Sequence, residues 1–395
     1  MKRNPHFQYR LVLSLFFFAM GLIFASWATR IPDIQAALRL NDAELGTALF
    51  GAPLGQLPCL LAAGLLVNRF GSRKVLALGL FLYATALLGL GSAGAFWQLF
   101  LSLMFFGIGG NLFDIALNTQ AVAVERLYGR SIMASLHGLW SLGGVAGGVL
   151  GALLAGFGVG PWPHFVAVSI LAAGLYFGLR SKLLPDVKPE ARRPGEKRPR
   201  LIRPDLLVLL LGVVAFGSMA TEGTMYDWIA VYYTAVLQAP DELIRAGYIA
   251  CMSCMVLGRF LADGLITRFG PVRVLQVSGL LMCAGLLLLI LQSGLLFATL
   301  GAALTGFGMA AGIPICFSLA GKSRTIPPSV AISLVVFVSF SGFLVCPPLI
   351  GHLSHAFSLQ AAFIPIAGVA LVIALLAPLL GLLLKRQSEQ TERAE

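Results

Sequence analysis

Arg69-Phe70-Gly71 recurs as Arg268-Phe269-Gly270, 199 residues further on, each time between two long apolar segments. The same offset carries Gly107-Ile108-Gly109 onto Gly306-Phe307-Gly308. Two independent landmarks at one spacing imply that the chain consists of two related halves.

Of the 395 residues, 58% are apolar and only 11% are charged, a balance no soluble domain of that length shows. Apolar runs of about 20 residues, long enough to cross a bilayer as helix, recur throughout. Twelve are read at 11–29, 43–67, 75–93, 97–124, 132–157, 162–180, 205–236, 243–266, 273–292, 295–320, 329–350 and 359–384. The expected fold is an all-α integral membrane protein with twelve transmembrane helices in two pseudo-symmetric six-helix bundles, residues 1–181 and 205–395, the second ending in a short cytoplasmic tail. Residues 182–204 between them hold Pro185, Pro189, Pro194, Pro199 and Pro204, which prevent a continuous helix, so this stretch reads as a cytoplasmic linker.

The net charge of +11 is a topology signal rather than a nucleic-acid footprint. Alternate loops hold Lys2, Arg3 and Arg10; Arg69, Arg73 and Lys74; Arg126 and Arg130; the cluster from Arg180 to Arg203; Arg268, Arg273, Lys322 and Arg324; and Lys385, Arg386 and Arg393. The opposite loops offer only Arg30, Arg39 and Arg245. By the positive-inside rule both termini are cytoplasmic, with contact to anionic membrane lipid a secondary role for the excess. The first span has a basic start, but its length and the lack of a small-x-small site argue against a cleaved signal peptide. All six cysteines lie in apolar segments; the Cys251–Cys254 pair has no second ligand pair nearby and reads as packing rather than metal or redox chemistry. Gly143, Gly144, Gly147, Gly148 and Gly151 in the fifth span suit close helix approach. Asn41 with Glu44 marks the start of the second span as a capping box.

Asn68-Arg69-Phe70-Gly71-Ser72-Arg73-Lys74, preceded by Gly64, resembles the loop between helices two and three of the major facilitator superfamily, with Asn68 where an acid is usual. Gly258-Arg259 through Asp263 to Arg268-Phe269-Gly270 looks like the equivalent loop after helix eight. Ala25-Ser26-Trp27-Ala28-Thr29-Arg30-Ile31-Pro32, Asp114 with Asn118, Val124-Glu125-Arg126, and Glu222-Gly223 with Asp227-Trp228 resemble a bacterial branch near the fucose permeases. The resemblance implies secondary transport across the bacterial cytoplasmic (inner) membrane by alternating access.

Charges inside the spans carry the functional information, because each costs roughly 2.5–3.5 kcal/mol on insertion scales. Asp114 sits near the middle of span four and Asn118 follows one turn later on the same face. Burial favours the neutral form of a carboxylic acid, which suits a group that takes up and releases a proton. The fucose-permease resemblance implies that role for a span-four carboxylate; the alternative is a hydrogen-bonded Asp that holds helices together. In span seven, Thr221 through Trp228 is polar and contains Gly223, which predicts a break. Glu222 and Asp227, with Asn118, Trp27, Tyr226 and Trp228, are the candidate solute contacts, although aromatic residues also serve as interfacial anchors. Arg30 on span one could meet Asp227 or Glu222 across the cleft as an outer gate, or be solvated by water. Arg259, Asp263 and Arg268, with Glu125, Arg126, Arg69 and Arg73, read as a charge network that closes the inner mouth. His137 and Trp140 are weaker candidates, with packing the competing role.

No G-x-S-x-G, H-E-x-x-H or Walker loop is present, so neither an enzyme nor a primary pump is expected, and no cofactor or metal is called for. The expected partners are a small-molecule solute, protons and membrane lipids, with no nucleic acid and a monomeric chain. A sugar-like solute carried by proton symport is the favoured reading. Proton-driven efflux of an amphipathic or cationic compound, or a non-transporting sensor, are the alternatives.

Overall fold

The computed structural model describes residues 6–128, 132–185, 206–291, 294–321, 323 and 326–392; most of the expected linker, with Arg130, Lys322 and Arg324, lies outside them. Helices α1 (Phe7–Ala28) and α2 (Ile31–Leu38) form one span interrupted at Thr29-Arg30. Next come α3 (Asp42–Leu49), α4 (Gly51–Phe70), α5 (Ser72–Ser92), α6 (Phe96–Tyr128), α7 (Met133–Gly156) and α8 (Pro161–Leu179). The second set is α9 (Leu206–Ala235), α10 (Ala246–Phe269), α11 (Pro271–Ile290), α12 (Leu295–Met309), α13 (Gly312–Ala320), α14 (Pro328–Ala356) and α15 (Leu359–Glu392). Among the described residues eleven helices are long and apolar enough to cross a membrane, twelve when the bent stretches Asp42–Cys59 and Gly64–Phe70 count as one.

Local chemistry fixes several of these ends. Asn41 caps α3, its side chain accepting from the Glu44 N–H at 2.9 Å while Glu44 accepts from the Asn41 N–H at 2.9 Å. Two orphan donors are thereby satisfied. Pro161, Pro271 and Pro328 each open a helix, where a missing N–H costs nothing.

The duplication is visible in backbone geometry. Helices begin at Ser72 and Pro271, and at Phe96 and Leu295, both at the 199-residue offset. Gly71 (φ 86°, ψ 152°) and Gly270 (φ 80°, ψ 155°) adopt the same left-handed conformation, one that side-chain-bearing residues avoid. Their N–H groups donate to Val67 and Ile266, both at 2.9 Å, and Arg69 and Arg268 lie over the rings of Phe70 and Phe269 at 5.3 and 5.2 Å. Inside the bundles, α6 packs on α4 and α5 as α12 packs on α10 and α11. A Cβ on Gly107 would stand 2.0 Å from the Ala52 carbonyl oxygen, and one on Gly306 would stand 2.0 Å from that of Cys251. The repeated glycines therefore set the spacing between helices. In the fifth span, Gly143 approaches Phe18 of α1 in the same way, with a Cβ-to-carbonyl distance of 2.1 Å.

One compact unit takes in α1–α8 together with residues Gln238–Arg245, and the other takes in α9–α15. Residues 238–245 thus sit with the first unit although the sequence places them in the second half. The break expected near Gly223 does not occur, because α9 continues through it. The Phe343 ring fills the space a side chain would take, 2.9 Å from a Cβ built at Gly223. Thr221 and Thr224 turn their hydroxyls onto the carbonyls one turn back, at 2.9 and 2.8 Å, so the polar residues satisfy themselves without opening the helix.

Candidate functional site

In the first unit, Asp114 lies about 3 Å from the midpoint of α6 along the helix axis. The Asn118 amide donates to Asp114 Oδ1 at 2.8 Å and to the Asp114 carbonyl at 2.9 Å. Among the described residues the second carboxylate oxygen receives no hydrogen bond. Asn111, one turn earlier on the same face, has a buried Oδ1 without a partner. Asn111, Asp114 and Asn118 form a polar strip along one face of the middle of α6. Aromatic residues stand beside it: Tyr83 lies against Gly110 and stacks on Phe106 at 4.2 Å, and Phe106 lies 6.5 Å from Trp27. Asn111 escaped the sequence reading, although an amide three residues before an intramembrane acid was a usable signal.

In the second unit, Glu222 lies about 2 Å from the midpoint of α9 and Arg259 about 2 Å from that of α10, by helical rise. Tyr226 donates its hydroxyl to Glu222 Oε1 at 2.6 Å, and the Arg259 guanidinium reaches the same oxygen at 3.5 Å. Tyr226 also lies near Met255 Sδ, at 3.7 Å, and beside Tyr248 at 6.3 Å between centroids. This corrects the expectation for Arg259, which is paired at mid-helix rather than with Asp263 and Arg268 near the helix end. Asp263 and Arg268 are exposed and form no ion pair among the described residues. Asp227, expected as a solute contact, has no hydrogen bond or ion pair among the described residues, and Trp228 is fully buried with an unpartnered Nε1.

Arg30 is also placed differently from the expected pairing. Its guanidinium donates to His164 Nδ1 at 3.3 Å, to the Val159 carbonyl at 2.8 Å and to Asp33 Oδ2 at 3.4 Å. Its carboxylate partner is thus Asp33, while that of Arg259 is Glu222, and depth counted along separate spans could not foresee either choice.

Near the ends of the helices, residues expected in a gate have local duties. Arg73 donates to the carbonyls of Leu183 and Leu184, which fastens the chain leaving α8. Glu125 accepts from the Ile132 and Met133 N–H groups at 2.8 and 3.0 Å and so caps α7. Arg69, Arg126 and Arg268 are exposed. His137 packs edge-on to Phe17, with centroids 5.3 Å apart, and Trp140 lies 6.1 Å from Phe24.

The family model of the Major Facilitator Superfamily matches residues 11–323 and 243–395. The chain belongs to the major facilitator superfamily. It is 33% identical over 364 residues to the membrane protein MosC of Rhizobium meliloti, covering 91% of this chain and 86% of that protein. It is 30% identical over 364 residues to the uncharacterized transporter y4wD of Sinorhizobium fredii, covering 92% and 96%. Its fold matches that of a point mutant of the nucleoside transporter NupG with a TM-score of 0.78 at 14% identity, over 94% of this chain and 99% of that one. A bacterial homologue of the human lysosomal transporter Spinster matches with a TM-score of 0.73 at 15% identity, over 96% and 97%. The chain is therefore a multi-pass membrane transporter of this superfamily and not an enzyme. The narrower placement near the fucose permeases is not supported by these relatives and is withdrawn.

Proposed function

We propose that this transporter moves a small sugar-like solute across the bacterial inner membrane by proton symport, as a monomer with both termini in the cytoplasm. Asp114 carries the coupling proton. Asn118 and the aromatic residues Trp27, Tyr226 and Trp228, with Glu222 and Asp227, contact the solute, and Arg69, Arg73, Arg126 and Arg268 serve the change between states at the inner mouth. The observation that carries this reading is the carboxyl of Asp114 at mid-helix, with one oxygen held by Asn118 and the other without a hydrogen bond among the described residues. A carboxyl so placed has one side fixed for orientation and one side open to a proton or a solute hydroxyl. The polar strip with aromatic neighbours fits a hydroxylated ring, which offers hydrogen bonds at its rim and apolar C–H faces to stack.

The test is Asp114→Asn in proteoliposomes, after vesicles have been screened with sugars, nucleosides, amino acids and cationic dyes. The amide keeps the shape and hydrogen-bonding capacity but cannot titrate. Accumulation driven by a pH gradient should be lost while counterflow exchange persists, and Asp114→Glu should keep part of the coupling. If the Asn variant still concentrates solute in proportion to the pH gradient, Asp114 is not the carrier and Glu222 becomes the candidate.

A further inference from the structure

Helices α5 and α8 pack side by side within the first unit and run antiparallel. Gly91 near the end of α5 meets Trp162 at the start of α8, and the Ser169 hydroxyl donates to the Ala84 carbonyl at 3.1 Å between them. At the other end Arg73, in the first turn of α5, holds the carbonyls of Leu183 and Leu184 just past α8. Gln120 of α6 locks the same corner, its amide donating to Ser72 Oγ at 2.7 Å and to the Leu184 carbonyl at 3.1 Å.

The seam between the two helices is aromatic. Phe81 of α5 lies 5.1 Å from Tyr176 and 5.8 Å from Phe177 of α8, between ring centroids. Phe177 is 58% exposed, and Leu78, one turn before Phe81, is 55% exposed. Where α5 starts and α8 stops, this strip meets three exposed cations. Lys74 shares a face with Leu78 and Phe81, Arg180 lies over the Phe177 ring at 5.5 Å, and Lys182 ends the short turn of helix that follows α8. None of the three has an ion pair among the described residues. The first turn of α5 holds no acid and no capping side chain, so the positive end of that helix adds to the field.

Isolated lysines and arginines on a surface are ordinarily just hydrated. Here they stand on a locked corner, at one end of a strip of exposed hydrocarbon, and one kind of molecule matches both features. We propose that the α5–α8 seam is a binding site for an anionic phospholipid, its phosphate ester at Lys74, Arg180 and Lys182 and an acyl chain along Leu78, Phe81 and Phe177. The Tyr176 hydroxyl, which makes no hydrogen bond among the described residues, stands one turn in from Arg180 and donates to an ester carbonyl of the lipid. The second unit supplies a contrast. At the 199-residue offset Lys74 falls on Arg273, but Arg180 and Lys182 fall on Leu379 and Gly381, so the corresponding pair α11 and α15 keeps one cation of the three. The proposal rests on the membrane placement of the chain and on neither the solute nor the proton.

The experiment is native mass spectrometry of the full chain in detergent, titrated with dioleoyl phosphatidylglycerol, dioleoyl phosphatidylcholine or glycerol 3-phosphate. Each Lys or Arg near an anionic lipid surface is worth roughly fivefold in binding. One phosphatidylglycerol should be retained, with a preference over phosphatidylcholine of at least about tenfold, and an equal concentration of glycerol 3-phosphate should not displace it. Replacing Lys74, Arg180 and Lys182 together by Gln should abolish the preference. Arg39→Gln with Arg273→Gln, at exposed positions elsewhere, should preserve it. Phe177→Ala should weaken retention several-fold with every charge in place. Absence of a preference in the unaltered chain would overturn the proposal. So would equal loss in the two charge variants, which would mean diffuse attraction, or displacement by glycerol 3-phosphate, which would mean a site for the free anion. Should the triple variant fail to fold, Lys182→Glu alone should lower the preference at least about fivefold, and an unchanged preference there would overturn the proposal as well.

Discussion

Glu222 and Arg259 form an ion pair in the second unit whose removal has a calculable effect. Each lies near the middle of its helix, and neutralising one removes the opposite charge from beside the other. Breaking a fully buried pair from one side costs about 3–5 kcal/mol. Here Arg259 is 27% exposed and the contact is a single N–H at 3.5 Å, which brings the expected cost of Glu222→Gln down to about 2 kcal/mol. Arg259→Gln should cost a similar amount, because Glu222 then keeps the Tyr226 hydroxyl but loses its opposite charge. The double substitution removes both charges and should cost little more than either single one, leaving a coupling energy of about 1.5 kcal/mol, roughly tenfold in the unfolding constant. Reversible unfolding by SDS in mixed micelles measures all four corners of the cycle. Additive losses would refute the pairing.

Gly107→Ala and Gly306→Ala should each destabilise by about 1–3 kcal/mol in the same assay, since each Cβ would meet a backbone carbonyl, whereas Gly174→Ala, which meets open space, should be near neutral. Arg69→Ala and Arg268→Ala should lower transport while leaving solute binding by calorimetry intact; equal loss of both would place these residues in the solute site or in folding. Cysteines placed at Asp241 should react with an impermeant reagent added outside cells and those at Arg193 should not, and the reverse pattern would invert the topology.

The repeated turn was legible because it demands a residue type: only glycine tolerates the left-handed conformation at 71 and 270, so the sequence keeps it in both copies. The span pattern was legible for an equally general reason, the thickness of the bilayer. Partner choice was not. Asp33 meets Arg245 across 212 residues and Arg30 meets His164 across 134, and no local periodicity records such contacts. Arg259 was misplaced because span eight was read as ending at residue 266. In the structure α10 continues to Phe269, which leaves Arg259 about 15 Å inside the end. The unbroken α9 shows tertiary packing overriding propensity, since a phenylalanine from α14 occupies the gap left by Gly223.

The duplication is faithful in its spacings and unfaithful in its chemistry. At the offset that maps Gly107 onto Gly306, Asp114 falls on Ile313, Glu222 on Ile23 and Arg259 on Leu60. The glycine contacts that hold helices at a fixed distance exist twice, and the ionisable groups at mid-helix exist once. Under the solute and proton roles proposed for Asp114 and Glu222, a lineage could exchange one cargo for another by rewriting single-copy positions whose counterparts are inert hydrocarbon, without disturbing the frame that both copies share.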